Sequence, residues 1–95
     1  MKLPLSFDPC KDASNLRKHG VSLGTARWLV WEEALSWEDK RKEYGEMRMC
    51  ALLPLDDRLY FVAYVDRPAS APAERRIISL RKANAREVLR YATDY

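Results

Sequence analysis

The sequence predicts a compact α+β domain in which an antiparallel sheet of about four to five strands carries two N-terminal helices and one C-terminal helix. Helix-capping signals occur near the two ends of the chain, and strand-like segments joined by short turns fill the middle. Short successive connections favour antiparallel pairing. A chain of 95 residues, 47% of them hydrophobic, can bury one core but not two. Residues 1–95 are therefore expected to form a single domain.

The N-terminal part predicts a short strand followed by a helix. Residues 3–7 alternate well enough for a strand, and Pro4 favours an edge position because proline cannot donate to a sheet ladder. Asp8 and Pro9 suit the N-cap and the first turn of a helix. Gly20 suits the left-handed position just past the end of that helix.

A second helix is expected to begin immediately after the first. Ser22 is a good N-cap, and the helical pattern continues to about Trp31. Trp28 and Trp31 widen the apolar side of this helix. We expect both tryptophans to pack in the core or to face a partner, with base stacking as the alternative.

The middle of the chain predicts three strands. They are expected over residues 34–39, 47–53 and 59–65. A mixed-charge loop turned at Gly45 separates the first two, and a turn over residues 54–58 separates the last two.

A proline-rich loop over residues 67–74 leads into the most basic part of the chain. Residues 75–91 contain six basic residues and one acidic residue. Alternation across Arg76, Ile78 and Leu80 predicts a strand with one apolar face, while the burial of Ile77 stays open. A helix follows because Asn84 and a glutamate three residues later form a variant capping box. The apolar residues of this helix fall on one stripe at positions i, i+3, i+4 and i+7: Ala85, Val88, Leu89 and Ala92.

The distribution of charge indicates a polyanionic target. The net charge of +3 and the isoelectric point near 9.0 point weakly to polyanions, and the concentration of cations in one segment points more strongly. A cationic surface beside the carboxylate of Glu87 and the phenol of Tyr91 suits a phosphodiester. The alternative is a solvated basic helix in which Glu87 does no more than cap the first turn.

Several classes of protein are disfavoured by the sequence. No run approaches eighteen apolar residues and no secretory signal precedes the first strand, so a cytoplasmic location without membrane attachment is expected. Cys10 and Cys50 lie in different elements, which argues against a zinc site or a disulfide framework. No cluster of carboxylates and histidines has the spacing of a metal site, so neither a metal nor another cofactor is expected.

Three motifs carry a resemblance to a known family. An Asn-x-x-Lys-His-Gly-Val motif stands at residues 15–21, and an Arg-x-Ile-Ser-x-Arg-Lys-Ala motif stands at residues 76–83. A Gly-Glu-x-Arg segment lies between them at residues 45–48. Together these motifs resemble the BrnT-type toxins of bacterial type II toxin–antitoxin systems. Where that family often has tryptophan before the first aspartate, this chain has Phe7.

The resemblance implies a RelE-like fold and a ribonuclease activity that inhibits translation. It also implies a co-expressed antitoxin of the ribbon-helix-helix class, BrnA-type, that neutralises the toxin. A homodimer or a heterotetramer with the antitoxin is the assembly that the resemblance suggests.

Metal-free RNA cleavage needs a base for the 2′-hydroxyl proton, cations for the charge on the phosphorane and a proton for the leaving oxygen. The expected product is a 2′,3′-cyclic phosphate. At least one twist or bulge is required for Arg76, Arg81 and Lys82 to meet one phosphate, because Arg81 has the opposite strand parity. The candidates for electrostatic stabilisation are Lys18, Arg76, Arg81 and Lys82; those for proton transfer are His19, Glu87 and Tyr91; and those for further RNA contacts are Arg17, Arg48, Arg75 and Arg86.

Two other functions fit the same residues. A nucleic-acid-binding module without catalysis would use the same cations for phosphate contacts only, and a protein-interaction domain would use the basic surface for an acidic partner. Incubation of the purified protein with RNA in chelator separates the three hypotheses. Fragments indicate an enzyme, a salt-sensitive shift without fragments indicates a binder, and neither indicates an interaction domain.

Overall fold

The computed structural model of the protein describes residues 3–68 and 70–94 and contains one five-stranded sheet. The strands lie in the order β1-β5-β4-β3-β2. This confirms the predicted α+β class. Residue 69, within the predicted loop over residues 67–74, lies outside the described part. The elements in chain order are β1 (Leu5–Ser6), α1 (Pro9–His19), two 3₁₀ helices (Leu23–Trp28 and Trp31–Glu33), β2 (Leu35–Glu38), β3 (Met49–Leu55), β4 (Arg58–Arg67), β5 (Glu74–Lys82) and α2 (Ala85–Asp94).

The sheet is mixed rather than purely antiparallel. Strands β2 to β5 form an antiparallel meander, but β1 pairs parallel with the start of β5. No hairpin joins β1 to β5, so nothing forces these two strands to run in opposite directions. The turn predicted over residues 54–58 is shorter in the structure, because the pairing of β3 with β4 continues to Leu55 and Arg58. Only residues 56–57 form the turn, and Asp56 has a φ of 55°. Aspartate tolerates that left-handed conformation better than most residues.

The predicted ends of α1 are confirmed. The Asp8 side chain accepts a hydrogen bond from the Cys10 amide at 2.8 Å. Gly20 has a φ of 73° and its amide donates to the Leu16 carbonyl. A positive φ without a Cβ is the reason that glycine suits this position.

The segment predicted as one second helix is two short 3₁₀ helices instead. Its predicted N-cap is confirmed, since the Ser22 hydroxyl accepts from the Gly24 amide at 3.1 Å. Helical hydrogen bonding then stops because Leu29 is extended and the Val30 amide donates to the Pro54 carbonyl on β3. Pairing with the sheet therefore replaces the last helical turn.

The two tryptophans of this segment have different environments. Trp31 packs edge-on against Tyr64, and its indole Nε1–H donates to the Ala26 carbonyl at 2.9 Å. Trp28 is 67% exposed. Of the two, Trp31 therefore contributes to the core and Trp28 does not.

A buried asparagine joins α1 to the sheet. Because β1 pairs only with Arg75 and Arg76, the outer edge of β5 has no strand beyond that point. Asn15 takes the place of a strand there, since its amide donates to the Leu80 carbonyl at 2.7 Å and accepts from the Leu80 amide at 3.2 Å. The same amide group donates to the Val21 carbonyl at 2.8 Å. One side chain thus satisfies three backbone groups that would otherwise be buried without partners.

A bulge in β5 decides which of its side chains face the core. Ser79 pairs with Ala63 and Ile77 pairs with Tyr64, so Ile78 has no partner on β4. The extra residue restores Ile77 and Leu80 to the same face, and both are almost fully buried. The open question about Ile77 is settled in favour of burial.

The C-terminal helix has its predicted cap but buries little. Asn84 and Glu87 exchange hydrogen bonds between side chain and backbone at 2.8 and 2.9 Å, which confirms the capping box. The apolar stripe faces solvent: Val88 is 49% and Leu89 is 65% exposed. Polar contacts therefore hold α2 against the sheet. Among the described helices, none has the length and apolarity to span a membrane.

We expect Asn15→Ala to lower the free energy of unfolding by about 2 to 4 kcal/mol, because it leaves buried backbone groups of Leu80 and Val21 unsatisfied. A chain of this size should lose more than about 10 °C in Tm. Ser14→Ala, at the exposed neighbouring position of α1, is the matched control. Equal melting curves for Asn15→Ala and Ser14→Ala would contradict the bridging role.

Candidate nucleic-acid interface

The two faces of the sheet differ in what covers them. One face carries the core and packs against α1 and the first 3₁₀ helix, through residues such as Val62, Ile77 and Leu80. We call the opposite face the α2 face. By strand register it carries Trp37, Cys50, Phe61, Arg76 and Arg81. The bulge at residue 78 is the reason that the two arginines share this face.

A pocket of about 440 Å³ lies between α2 and the α2 face. Trp37 and Phe61 form its aromatic wall, with ring centroids 6.2 Å apart. The Arg81 guanidinium stacks on Phe61 at 4.3 Å, and Arg90 lies over Trp37 at 4.0 Å. The pocket therefore combines aromatic surfaces with cations, as sites that bind single-stranded nucleic acid do.

Arg81 and Glu87 form a bidentate ion pair at this pocket. Arg81 Nη1 and Nη2 donate to the two carboxylate oxygens of Glu87 at 2.8 and 2.9 Å. Nη1 also donates to the Lys82 carbonyl at 3.3 Å. Since a guanidinium has five N–H groups, the Nε–H and one Nη2–H of Arg81 have no partner in the described part of the chain. Those two donors remain available to an oxyanion.

The ion pair shifts the pKa values of both Glu87 and Arg81. The hydrogen bonds from Arg81 hold the pKa of Glu87 below its ordinary value, with help from the Asn84 amide and against the effect of burial. The same hydrogen bonds, which Glu87 accepts, raise the pKa of Arg81. Glu87 is therefore ionised at neutral pH and is a weak base in this arrangement.

A second ion pair fixes the loop that follows β2. Buried Asp39 accepts two bonds from the Arg41 guanidinium, both 2.9 Å, and one from the Tyr44 hydroxyl at 2.8 Å. The hydrogen bonds from Arg41 lower the pKa of Asp39 strongly. This arrangement holds Arg41 at the rim of the pocket.

Four residues of the pocket were not predicted from the sequence as site residues: Trp37, Asp39, Arg41 and Phe61. Each belongs to a segment whose local pattern is that of an ordinary strand or charged loop. The signal that could have found them is strand register, since Trp37 and Phe61 point to the same face as Arg81. That register depends on pairing between distant strands.

Arg48 and Arg76 come together away from this pocket. Both line a smaller cleft, of about 200 Å³, together with Lys11 and Arg67. The two clefts have no lining residue in common.

Arg75 lies on the core face. Its guanidinium donates to the Asp66 carboxylate at 2.7 and 2.9 Å and lies between the rings of Trp31 and Tyr64, 4.6 and 4.4 Å from their centroids. Its side chain is used in packing, unlike that of the neighbouring Arg76.

The other predicted site residues do not line the pocket between α2 and the α2 face. His19 lies one turn after Asn15 on the same side of α1, and Asn15 bonds to Leu80, which directs His19 toward the C-terminal end of β5. Lys82 shares the core face with Leu80, and the Tyr91 hydroxyl donates to the Glu33 carbonyl at 2.6 Å. Within the described part, no hydrogen bond or ion pair joins His19 to Arg81 or Glu87, and Arg81 reaches Lys82 through the Lys82 backbone carbonyl. Three further basic residues are exposed: Arg17, Lys18 and Arg86.

Comparisons with known proteins agree with this fold. A family model described as "Ribonuclease toxin, BrnT, of type II toxin-antitoxin system" matches residues 7–87. Among solved structures, the chain is similar to the Brucella abortus ribonuclease toxin BrnT, determined at 1.1 Å, with a TM-score of 0.66. The two share 18% sequence identity over 87% of this chain and 99% of that chain, so the likeness supports the fold. Curated proteins give no match.

We expect the stability difference between wild type and Glu87→Gln to depend on pH. A carboxyl whose pKa is lowered by folding stabilises the protein fully above its unfolded value, near 4.5, and loses that effect as pH falls through the folded value. Melting curves should therefore differ most at pH 6 to 7 and approach each other as pH falls below 4.5 and through the folded value. Asp39 titrates in both proteins, so its contribution cancels. A difference that stays constant from pH 7 to pH 3 would show that the ion pair does not stabilise the fold.

Proposed function

The chain belongs to the BrnT family of ribonuclease toxins of type II toxin–antitoxin systems, and on that premise we propose that it cleaves RNA at the pocket beside α2 without a metal ion. The observation that carries the proposal is the Arg81–Glu87 pair at an aromatic-walled pocket. The pair orients a guanidinium whose remaining donors can bind a phosphate.

The pocket has the size and surfaces for one nucleotide. Its volume of about 440 Å³ falls within the usual range for small-molecule sites. Half-buried Trp37 and Phe61 offer aromatic surfaces against which a base can pack beside the Arg90 and Arg81 guanidinium groups, and such packing tolerates any base. Arg41 at the rim and Arg81 at the floor supply cations for the adjoining phosphates.

The proposed reaction is attack of a ribose 2′-oxygen on the adjacent phosphorus. The 2′-hydroxyl gives its proton to a base, the bond from phosphorus to O5′ breaks, and O5′ takes a proton as it leaves. The products are a 2′,3′-cyclic phosphate and a 5′-hydroxyl. Arg81 would offset the charge on the phosphorane with its Nε–H and its second Nη2–H.

Proton transfer is assigned to His19 in this proposal. Glu87 is engaged by Arg81 and held ionised, which suits a group that orients the arginine better than one that accepts a proton. The Tyr91 hydroxyl donates to a backbone carbonyl, which suits an anchor for α2. His19 follows Asn15, which bonds to Leu80 on β5, by one turn of α1, and histidine is the side chain that most often transfers protons in enzymes. Lys18 and Lys82 would add positive charge at that end.

One observation favours a non-catalytic binder as the second candidate. Glu87 is a weak base, and within the described residues no hydrogen bond or ion pair joins Arg81 to another carboxylate or to an imidazole. A protein that only binds RNA would need the same cations and aromatic rings but no base. Turnover in chelator distinguishes the two.

Membership of a type II family implies an antitoxin partner. We further propose that this antitoxin is of the ribbon-helix-helix, BrnA type, that it neutralises the toxin, and that the complex is a heterotetramer. A homodimer of the toxin alone is the alternative assembly.

We expect the purified protein to cleave RNA in EDTA and Arg81→Lys to lower the rate about a hundredfold or more. Lysine keeps the charge but lacks the fork that binds Glu87 and a phosphate together. Arg58→Lys is the matched control, because Arg58 is exposed and lies on the core face near the same end of the sheet. Cleavage rates are measured beside thermal melts. A wild-type rate for folded Arg81→Lys would remove Arg81 from the site, and strict dependence on added magnesium would refute the metal-free reaction.

Expression of the chain alone should arrest growth, and co-expression of its cognate antitoxin should restore it. The physical reason is that free toxin would degrade RNA needed for translation. Growth curves at verified soluble expression check this, with folded Arg81→Lys as the control that should be tolerated. Unimpaired growth with wild type would contradict the toxin function.

A further inference from the structure

A second cationic cleft lies at the end of β5 opposite to Arg81. Four cations line it, namely Lys11, Arg48, Arg67 and Arg76, and it has a volume of about 200 Å³. Two carboxylates, Asp8 and Glu46, also line it. The charged lining therefore carries an excess of two positive charges.

Both carboxylates of the cleft are already engaged. Asp8 caps α1 by accepting from the Cys10 amide at 2.8 Å. Glu46 accepts from Arg67 Nε and Nη2 at 3.2 and 2.9 Å. Within the described residues, Lys11, Arg48 and Arg76 have no carboxylate partner. This combination leaves three cations facing one small cleft.

Arg48 carries a donor that lacks an acceptor. Its guanidinium stacks on the Tyr44 ring at 4.0 Å, and Tyr44 is held in turn by buried Asp39. The Nε atom of Arg48 is buried and has no hydrogen-bond partner in the described part. A buried donor without a partner is uncommon in folded proteins and calls for a ligand or a water. The Arg48 side chain is thus held in place while its Nε–H lacks an oxygen acceptor.

The cleft fits a small oxyanion better than a larger ligand. Its volume lies below the usual range for small-molecule sites, so it suits a single group rather than a whole nucleotide. Guanidinium forks match the oxygens of a phosphate, and two of them converge here. By register Arg76 shares the α2 face with Arg81, at a separation of five residues, or roughly 13 to 17 Å along the strand.

We propose that this cleft binds a second phosphate of the RNA strand, one that flanks the phosphate at the cleaved bond. The inference rests on the proposed function, because it takes the pocket beside α2 as the place of cleavage. The two clefts share no lining residue, so each takes its own phosphate. RNA is favoured over an acidic protein segment because both clefts lie along one face of the sheet, where a single strand can reach them in succession. Binding at both fixes the register of the RNA relative to Arg81.

The test uses an RNA oligonucleotide in which every 2′-hydroxyl is methylated, so that it binds but cannot be cleaved. Its affinity for the full-length protein is measured by fluorescence anisotropy over a series of salt concentrations. The Arg48→Ala/Arg76→Ala double variant should bind several-fold to tenfold more weakly. Its slope of log K against log salt should be smaller by about 0.7, the change expected for one phosphate contact on a single strand. Arg58→Ala, which removes one exposed cation on the core face, should retain the wild-type slope.

The outcomes separate this inference from the proposed function. An unchanged slope and affinity in the double variant would overturn the second phosphate site even if wild type cleaves RNA. If the double variant shows the predicted change in slope but the wild-type protein does not cleave RNA, the proposed ribonuclease activity is wrong and the second phosphate site stands. If the double variant binds RNA normally but loses affinity for the antitoxin, the cleft is a protein contact and the inference is wrong. Should Arg48→Ala fail to fold, Arg76→Ala alone must show the weaker binding, since Arg76 has no ion pair in the described part.

Discussion

The hydrogen bonds between Asn15 and the outer edge of β5 are the interaction on which the arrangement depends. Strand β1 is only two residues long and covers only the start of β5. Without Asn15, the Leu80 amide and carbonyl would be buried at an unpaired edge, which folded proteins avoid. The same contact places α1 along that edge. Asp12, one turn earlier on α1, accepts from Ser22 and from the Leu23 amide at 2.9 and 2.7 Å, so the 3₁₀ helix is positioned from the same helix.

Once β5 is held, its bulge distributes the charges between the two faces of the sheet. Arg75 enters the core side and is neutralised by Asp66 between two aromatic rings. Arg76 and Arg81 lie on the α2 face, at its two ends. A β5 strand without the extra residue would put Arg81 on the face opposite to Arg76. The cationic surface proposed to bind RNA therefore depends on one unpaired residue, Ile78.

Ion pairs on the α2 face position cations without using all of their donors. Glu87 holds Arg81 and leaves two of its N–H groups available, and Asp39 holds Arg41 at the rim. Asp39 also holds Tyr44, on which Arg48 stacks. Each carboxylate lowers the freedom of a cation before a phosphate arrives, which reduces the entropy that binding must overcome. The cost is that the carboxylates become weak bases, and so the proton transfer is assigned elsewhere.

Local chemistry is what the sequence by itself determined. The caps at Asp8, Gly20, Ser22 and Asn84 and the order of the elements follow from interactions between residues close in the chain, and the structure confirms them. The three sequence motifs also predicted the BrnT family, and the match to the family model confirms it. Only the tertiary structure decided the parallel pairing of β1, the bulge in β5, the separation of Arg75 from Arg76 and the outward apolar stripe of α2. It also decided that Trp37 and Phe61 line the pocket. These features depend on which distant strand supplies a hydrogen-bond partner, and no local pattern of side chains specifies that choice.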